Sequence, residues 1–202
     1  MEKDKVKIVL ASSSPRRKEL LGHSFFPFDI EVSDIEEKSE YEKPSDIVVD
    51  LAAQKARVVF SRNTPSPVLV IGSDTIVALG SRILEKPKDI DEARYMLKLL
   101  SGQTHDVYTG VHFMTVDKES SFYTKTKVSF DVISPLLLER YLKTGDSLDK
   151  AGAYGIQGAA LSFISNVEGS YSGVVGFPIH RVINELSKFF NKSYEELNEI
   201  FI

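Results

Sequence analysis

Lys7-Ile-Val-Leu-Ala-Ser-Ser-Ser-Pro-Arg-Arg17 is a short apolar run that passes through three serines into proline and two arginines. The apolar part, Lys7 to Ala11, predicts a buried strand, and Pro15 suits the first position of a helix, where its missing N–H is no loss. That helix continues through Leu20 and Leu21 and can stop at Gly22. A strand feeding a helix through small hydroxyl residues directs backbone N–H groups and a positive dipole end toward one place. Ser12, Arg16 and Arg17 then form a candidate phosphate cradle, since guanidinium forks match phosphate oxygens. An ordinary N-cap flanked by solvated arginines has the same local sequence.

Outward from this turn, strands and helices alternate. Phe28 to Ser33 predicts a second strand, followed by the acidic stretch Asp34 to Glu42. Pro44-Ser45 opens a long helix, Asn63 to Pro67 is a loop, and Val68-Leu-Val-Ile71 is a central strand bounded by Gly72-Ser-Asp-Thr75. A separate short strand, Ile76 to Leu79, turns at Gly80 toward Ile83-Leu84. Asp89 to Glu92 has a capping-box pattern ahead of a helix that ends at Gly102. Val107–Val116 and Phe122–Val132 predict a β-hairpin, and Ser134-Pro135 caps a helix that stops at Gly145. Lys150 to Gly158 is a glycine-rich loop, Ala160 to Ile164 a strand, and helices open at Pro178 and Ser193. The expected class is α/β, with a mixed, elongated sheet flanked by helices in two lobes around a central cleft, all within one domain over 1–202.

Composition narrows the chemistry. With 202 residues, 42% hydrophobic and 27% charged, the balance is that of a globular domain. The absence of cysteine excludes disulfides, thiolate catalysis and thiolate-bound metal. The four histidines are scattered, without a helical ligand spacing. A net charge of −4 provides no global field for nucleic acid, so polyanion binding must come from local cations. The charged start has neither the apolar core nor the small-residue cleavage site of a secretory leader, so none is expected, and no apolar run nears the roughly 20 residues of a membrane span. The expected compartment is the cytoplasm, with no membrane partner.

Five features carry candidate chemistry. The first is the Ser12–Arg17 turn. Lys55 interrupts the inward stripe Val48, Leu51, Ala52, Val58, Val59, so it either snorkels or meets an anion. Asp74, expected at the exit of a buried strand, can bind a divalent ion, orient a water or cap a turn. Lys86, in Glu85-Lys86-Pro87, could reach a phosphate. Gln157 offers a donor and an acceptor to a base edge from a loop whose glycines allow close approach, although a plain turn has the same composition. Gly-x-x-x-x-Gly-Lys-Ser/Thr is absent, and Gly169-Ser-Tyr-Ser-Gly173 has tyrosine where a nucleophile elbow needs serine. Together the features favour a nucleotide polyphosphate site.

Leu10–Arg17, Gln54-Lys-Ala56, Gly72–Val77, Glu85-Lys-Pro87, Leu99-Leu-Ser-Gly102, Asp149–Gly158 and Val174-Val-Gly-Phe-Pro178 resemble the Maf family, in family order and over nearly the whole chain. The resemblance implies an inosine-triphosphatase-like fold and a hydrolase that cleaves nucleoside triphosphates to monophosphate and pyrophosphate with a divalent cation, Mg2+ or Mn2+. It implies catalytic or phosphate-binding roles for Asp74, Lys55, Lys86, Arg16 and Arg17, and a site role for Glu37 with the metal. Arg16, Thr75 and Gln157 match specificity positions of the branch that cleaves dTTP and UTP. Gln54 departs from the glutamate that many relatives carry before the lysine. Family precedent also suggests a homodimer. The rival readings are a broader pyrophosphatase for modified nucleotides and a nucleotide-binding regulator of cell division with little catalysis. Whether Asp74 serves as a base or as a metal ligand is open at the level of sequence.

Overall fold

The computed structural model describes residues 5–63 and 67–202. The middle of the expected Asn63–Pro67 loop lies outside the described residues. The chain divides into two compact units, both built from separated segments. The first holds the described residues up to Asp74, with Thr109–Tyr123 and Gly176–Ile202. The second holds Thr75–Tyr108 and Thr124–Val175.

In the first unit, β1 (Lys7–Ala11) leads into α1 (Pro15–Gly22), and β2 (Asp29–Ile30) is followed after a long loop by α2 (Pro44–Asn63) and by β3 (Val68–Leu79), whose residues from Thr75 on belong to the second unit. β1 pairs in parallel with both β2 and β3, Leu10 lying opposite Ile30 on one side and Ile71 on the other. Val9, Ala11, Val68 and Val70 bury one face against Ala56 and Val59 of α2. The helices α6 (Ile179–Phe190) and α7 (Tyr194–Ile200) complete the unit. Ser193 and Glu196 close the expected capping box at α7, satisfying two otherwise orphaned N–H groups.

In the second unit, β4 (Arg82–Leu84) returns antiparallel on β3 and α3 (Ile90–Leu100) precedes β5 (Thr104–Met114), whose residues from Thr109 on belong to the first unit, as do those of β6 (Glu119–Phe130) up to Tyr123. α4 (Pro135–Leu142), β7 (Ile164–Glu168) and α5 (Tyr171–Val175) follow. Leu97 and Leu100 of α3, Leu138 and Tyr141 of α4, and Phe130, Tyr154 and Phe163 make its core. The seven strands form one mixed sheet in the order β2-β1-β3-β5-β6-β7, with β4 off the path on β3. Among the described residues no helix is long and apolar enough to cross a membrane.

Three local expectations change. β3 is one continuous strand rather than two pieces split at Gly72–Thr75, so Asp74 lies within a strand and not at its exit. Gly72 serves helix packing instead of a turn. A Cβ there would sit 2.0 Å from the Ala52 carbonyl oxygen, and one at Gly110 would sit 2.3 Å from that of Val48. The two glycines let α2 lie on the sheet at backbone contact. Next, Ala159–Ser162 is a 3-10 turn, and the strand begins later, at Ile164. Last, Asp89 caps α3 by accepting from Asp91 and Glu92 N–H, but Glu92 accepts from Lys88 N–H, so the reciprocal half of the box is displaced by one residue.

Candidate active site

The close seating of α2 determines what its inward lysine meets. Lys55 lies one helical turn beyond Ala52, and Asp74 lies two residues beyond Gly72. The Lys55 Nζ is 2.6 Å from Asp74 Oδ1 and 2.9 Å from Glu37 Oε1. Lys55 and Asp74 are both buried, whereas Glu37 is exposed in the loop before α2. The loop is pinned beside Glu37, because Gln54 Nε2 donates to the Lys38 carbonyl at 2.8 Å and to Asp50 Oδ2 at 2.9 Å.

Arg17 approaches the same cluster from α1. Its Nε donates to the Gly176 carbonyl at 3.0 Å, and the buried Ser73 hydroxyl lies 3.1 Å from that carbonyl and 3.0 Å from the carbonyl of Gly110. With one proton to share between two acceptors, Ser73 ties β3 to the backbone that orients Arg17. Burial raises the pKa of Asp74, and Lys55 and Arg17 oppose that rise without cancelling it. Burial lowers the pKa of Arg17, while Asp74 and Glu37 pull it back upward. Charges of both signs are therefore held together at one poorly solvated place.

The serine turn is partly closed on itself. Ser12 Oγ accepts from Ser14 N–H at 3.1 Å, and Ser14 Oγ accepts from Arg17 N–H as the N-cap of α1. Two of the N–H groups expected to face a phosphate are engaged by the turn's own hydroxyls. The serines set the shape of the turn and so the start of the two arginine side chains, of which Arg16 is partly buried.

In the second unit, Thr75 follows Asp74 along β3, and Lys86 is exposed just after β4. The Glu85 carbonyl accepts from Gly152 N–H at 3.2 Å, which joins the Lys86 segment to the glycine-rich loop. Gln157 is exposed on that loop between buried Ile156 and Gly158. Gly158 N–H donates to the Gly155 carbonyl at 3.2 Å, so Gln157 occupies the third position of a four-residue turn.

The family model described as "Maf-like protein" matches residues 7–189. The chain belongs to the Maf family. This Maf chain is 50% identical over 184 residues to a protein of Bacillus cereus named dTTP/UTP pyrophosphatase, a match covering 91% of this chain and 95% of that one. A protein of Bacillus cytotoxicus with the same name is 49% identical over the same shares. Among solved structures, a HAM1 protein from Coxiella burnetii is similar with a TM-score of 0.53 at 13% identity, over 93% of this chain and 100% of that one. The Staphylococcus aureus Ham1 protein gives 0.50 at 12%, over 92% and 98%. At such low identity these likenesses speak for the fold, and they bear out the expected α/β class.

Of the residues read from the Maf sequence, the structure brings Arg17, Glu37, Lys55 and Asp74 together in the first unit, and Ser12 shapes the turn beside them. Thr75, Lys86 and Gln157 belong to the second unit. Sequence reasoning missed Ser73 and the carbonyl of Gly176 as the supports of Arg17. Both stand in stretches that resemble the family, but a backbone carbonyl leaves no residue-type signal.

Proposed function

We propose that this Maf protein hydrolyses dTTP and UTP to the monophosphate and pyrophosphate. The observation that carries the reading is the buried Lys55–Asp74 pair, joined by Glu37 and faced by Arg17. Its relatives' shared name supports the choice of nucleotides. A water attacks the α-phosphorus, the α–β anhydride bond breaks, and pyrophosphate leaves with the electron pair. Lys55 and Arg17 stabilise the negative charge that builds on the phosphate oxygens, preorganised by burial and by fixed backbone partners. The family resemblance supports phosphate-binding roles for Arg16 and Lys86 and base-discriminating roles for Thr75 and Gln157.

The donor set fits a divalent cation. Among the described residues there is no cluster of three or more metal-ligating side chains. Asp74 and Glu37 instead offer two carboxylates held near each other, each with one oxygen on Lys55 Nζ. That suits Mg2+ or Mn2+, which take one or two carboxylates and complete their shell with substrate phosphates and water. Such an ion, when bound, neutralises phosphate charge. Asp74 also has a proton-accepting role open to it: its carboxylate lies above its ordinary pKa through burial, which brings it closer to useful basicity.

The test is direct detection of pyrophosphate and monophosphate from dTTP, UTP and purine triphosphates, with Mg2+ and with chelator. Asp74→Asn abolishes turnover on this reading. Pyrophosphate release by that variant at near the parent rate overturns the assignment.

A further inference from the structure

The glycines of the Asp149–Gly158 loop leave room for the protein's own ion pair. Lys150 Nζ donates to the Asp146 carbonyl at 2.9 Å, to Asp146 Oδ1 at 2.6 Å and to Asp149 Oδ1 at 2.6 Å, so all three of its protons are used. Its methylenes pass directly across Gly155, where a Cβ would sit 2.7 Å from Lys150 Cε. A Cβ at Gly158 would sit 2.7 Å from Asp146 Oδ2, an oxygen that is itself buried without a hydrogen-bond partner. Gly155 N–H donates to the Tyr141 hydroxyl of α4 at 3.2 Å. Both ends of the Gly155–Gly158 turn therefore rest on Asp146 and Lys150, and buried Ile156 anchors its middle. Gln157 is the turn residue left facing solvent.

We infer that Asp146 and Lys150 are positioning residues for substrate specificity: their ion pair fixes the turn that presents the Gln157 amide to the pyrimidine base. The inference rests on the reading of Gln157 as a base-contacting residue. The physical argument is one of preorganisation. An exposed glutamine on a glycine-flanked turn has wide rotational and backbone freedom, and ordering it at binding would weaken discrimination. Here the ordering is done in advance by a pair whose cation is only 13% exposed. A pyrimidine carbonyl and its neighbouring N–H require both an acceptor and a donor at fixed places, which an immobilised amide provides.

The experiment measures kcat and KM for UTP and GTP in the parent and in Asp146→Asn, Gly158→Ala and Gln157→Ala, with thermal unfolding alongside. Asp146→Asn keeps the shape and removes the charge, and Gly158→Ala pushes the turn from its other side. Each lowers the UTP-over-GTP ratio of kcat/KM about tenfold, as for a lost charge-assisted hydrogen bond, chiefly through the KM for UTP. Lys150→Arg keeps the preference better than Lys150→Met. The pair acts through Gln157, so Asp146→Asn combined with Gln157→Ala discriminates no worse than Gln157→Ala alone. If Gln157→Ala loses the preference while Asp146→Asn and Gly158→Ala retain it, the positioning role is overturned and the base-reading role stands. If Gln157→Ala retains it, the base-reading role falls and the inference falls with it. Equal losses for UTP and GTP in Asp146→Asn also overturn it, because they reduce the pair to a general support.

Discussion

Lys55 and Asp74 form a buried ion pair, Nζ to Oδ1 at 2.6 Å, with each side chain only 7% exposed. Such a pair is costly to halve. Lys55→Met leaves Asp74 without its nearest cation, and the carboxylate pKa, already raised by burial, moves further up. The expected loss of stability is about 3–5 kcal/mol, the range for breaking one side of a buried pair. Lys55→Met with Asp74→Asn recovers most of that stability without restoring activity. Urea unfolding of the two variants reads the difference, and equal stability of the single and double variants would contradict it.

Gln54→Glu tests the pinning of Glu37. Both amide protons are used, one on the Lys38 carbonyl and one on Asp50. A carboxylate in that place can donate to neither and repels Asp50. The loop then loosens, stability falls by about 1–2 kcal/mol, and the Mg2+ concentration for half activity rises severalfold. Adding Asp50→Asn restores part of both quantities. Metal titration by calorimetry, in the presence of pyrophosphate, supplies the readout independent of turnover.

Gly72→Ala places a methyl group 2.0 Å from a backbone oxygen of α2, which must retreat. The cost is about 1–3 kcal/mol or more, as for overpacking, and the Lys55–Asp74 contact lengthens with it. Activity should fall more steeply than stability alone accounts for. Gly22→Ala is the control: nothing lies within 4 Å of the added Cβ, so its unfolding midpoint stays put or rises slightly. Matching losses in the two variants would remove the packing argument.

Much of this was readable in the residues. Lys55 had to be inward because the apolar stripe on either side of it keeps helical period, and its structure shows the anion in place of snorkelling. Asp74 was visible as an acid following an apolar run. Its place inside the strand was not, because a glycine before it reads equally as a breaker or as a seat for a helix, and only the position of α2 decides. The later start of β7 was hidden by Ala160 and Phe163, which are buried as strand residues would be but belong to a 3-10 turn and its end. Asp146 carried no pattern at all, since its significance depends on two glycines nine and twelve residues further on.

Acid sensitivity has a named source. His105 is buried, Nε2 lies 2.7 Å from the Tyr154 hydroxyl, and Nδ1 has no hydrogen-bond partner. Burial lowers its pKa from 6.5 to about 4. Between those values the unfolded chain binds a proton that the folded chain refuses. The stabilisation is therefore complete above pH 6.5 and is lost as pH falls toward about 4, amounting to about 3 kcal/mol. Urea midpoints measured across that window should fall less steeply in His105→Gln than in the parent. A parallel pair of curves would assign the acid sensitivity elsewhere.

The carbonyl of Gly176, which receives both Arg17 and Ser73, follows the whole of the second unit in the chain. That sets an order on synthesis. A ribosome delivers the arginine and the serine early, and then all of Thr75–Tyr108 and Thr124–Val175, before it delivers the group that holds Arg17 in place. The second unit can become compact on a nascent chain while the charged cluster still lacks this support. On the proposed reading of Arg17, the backbone group that orients it is thus supplied only after the second unit.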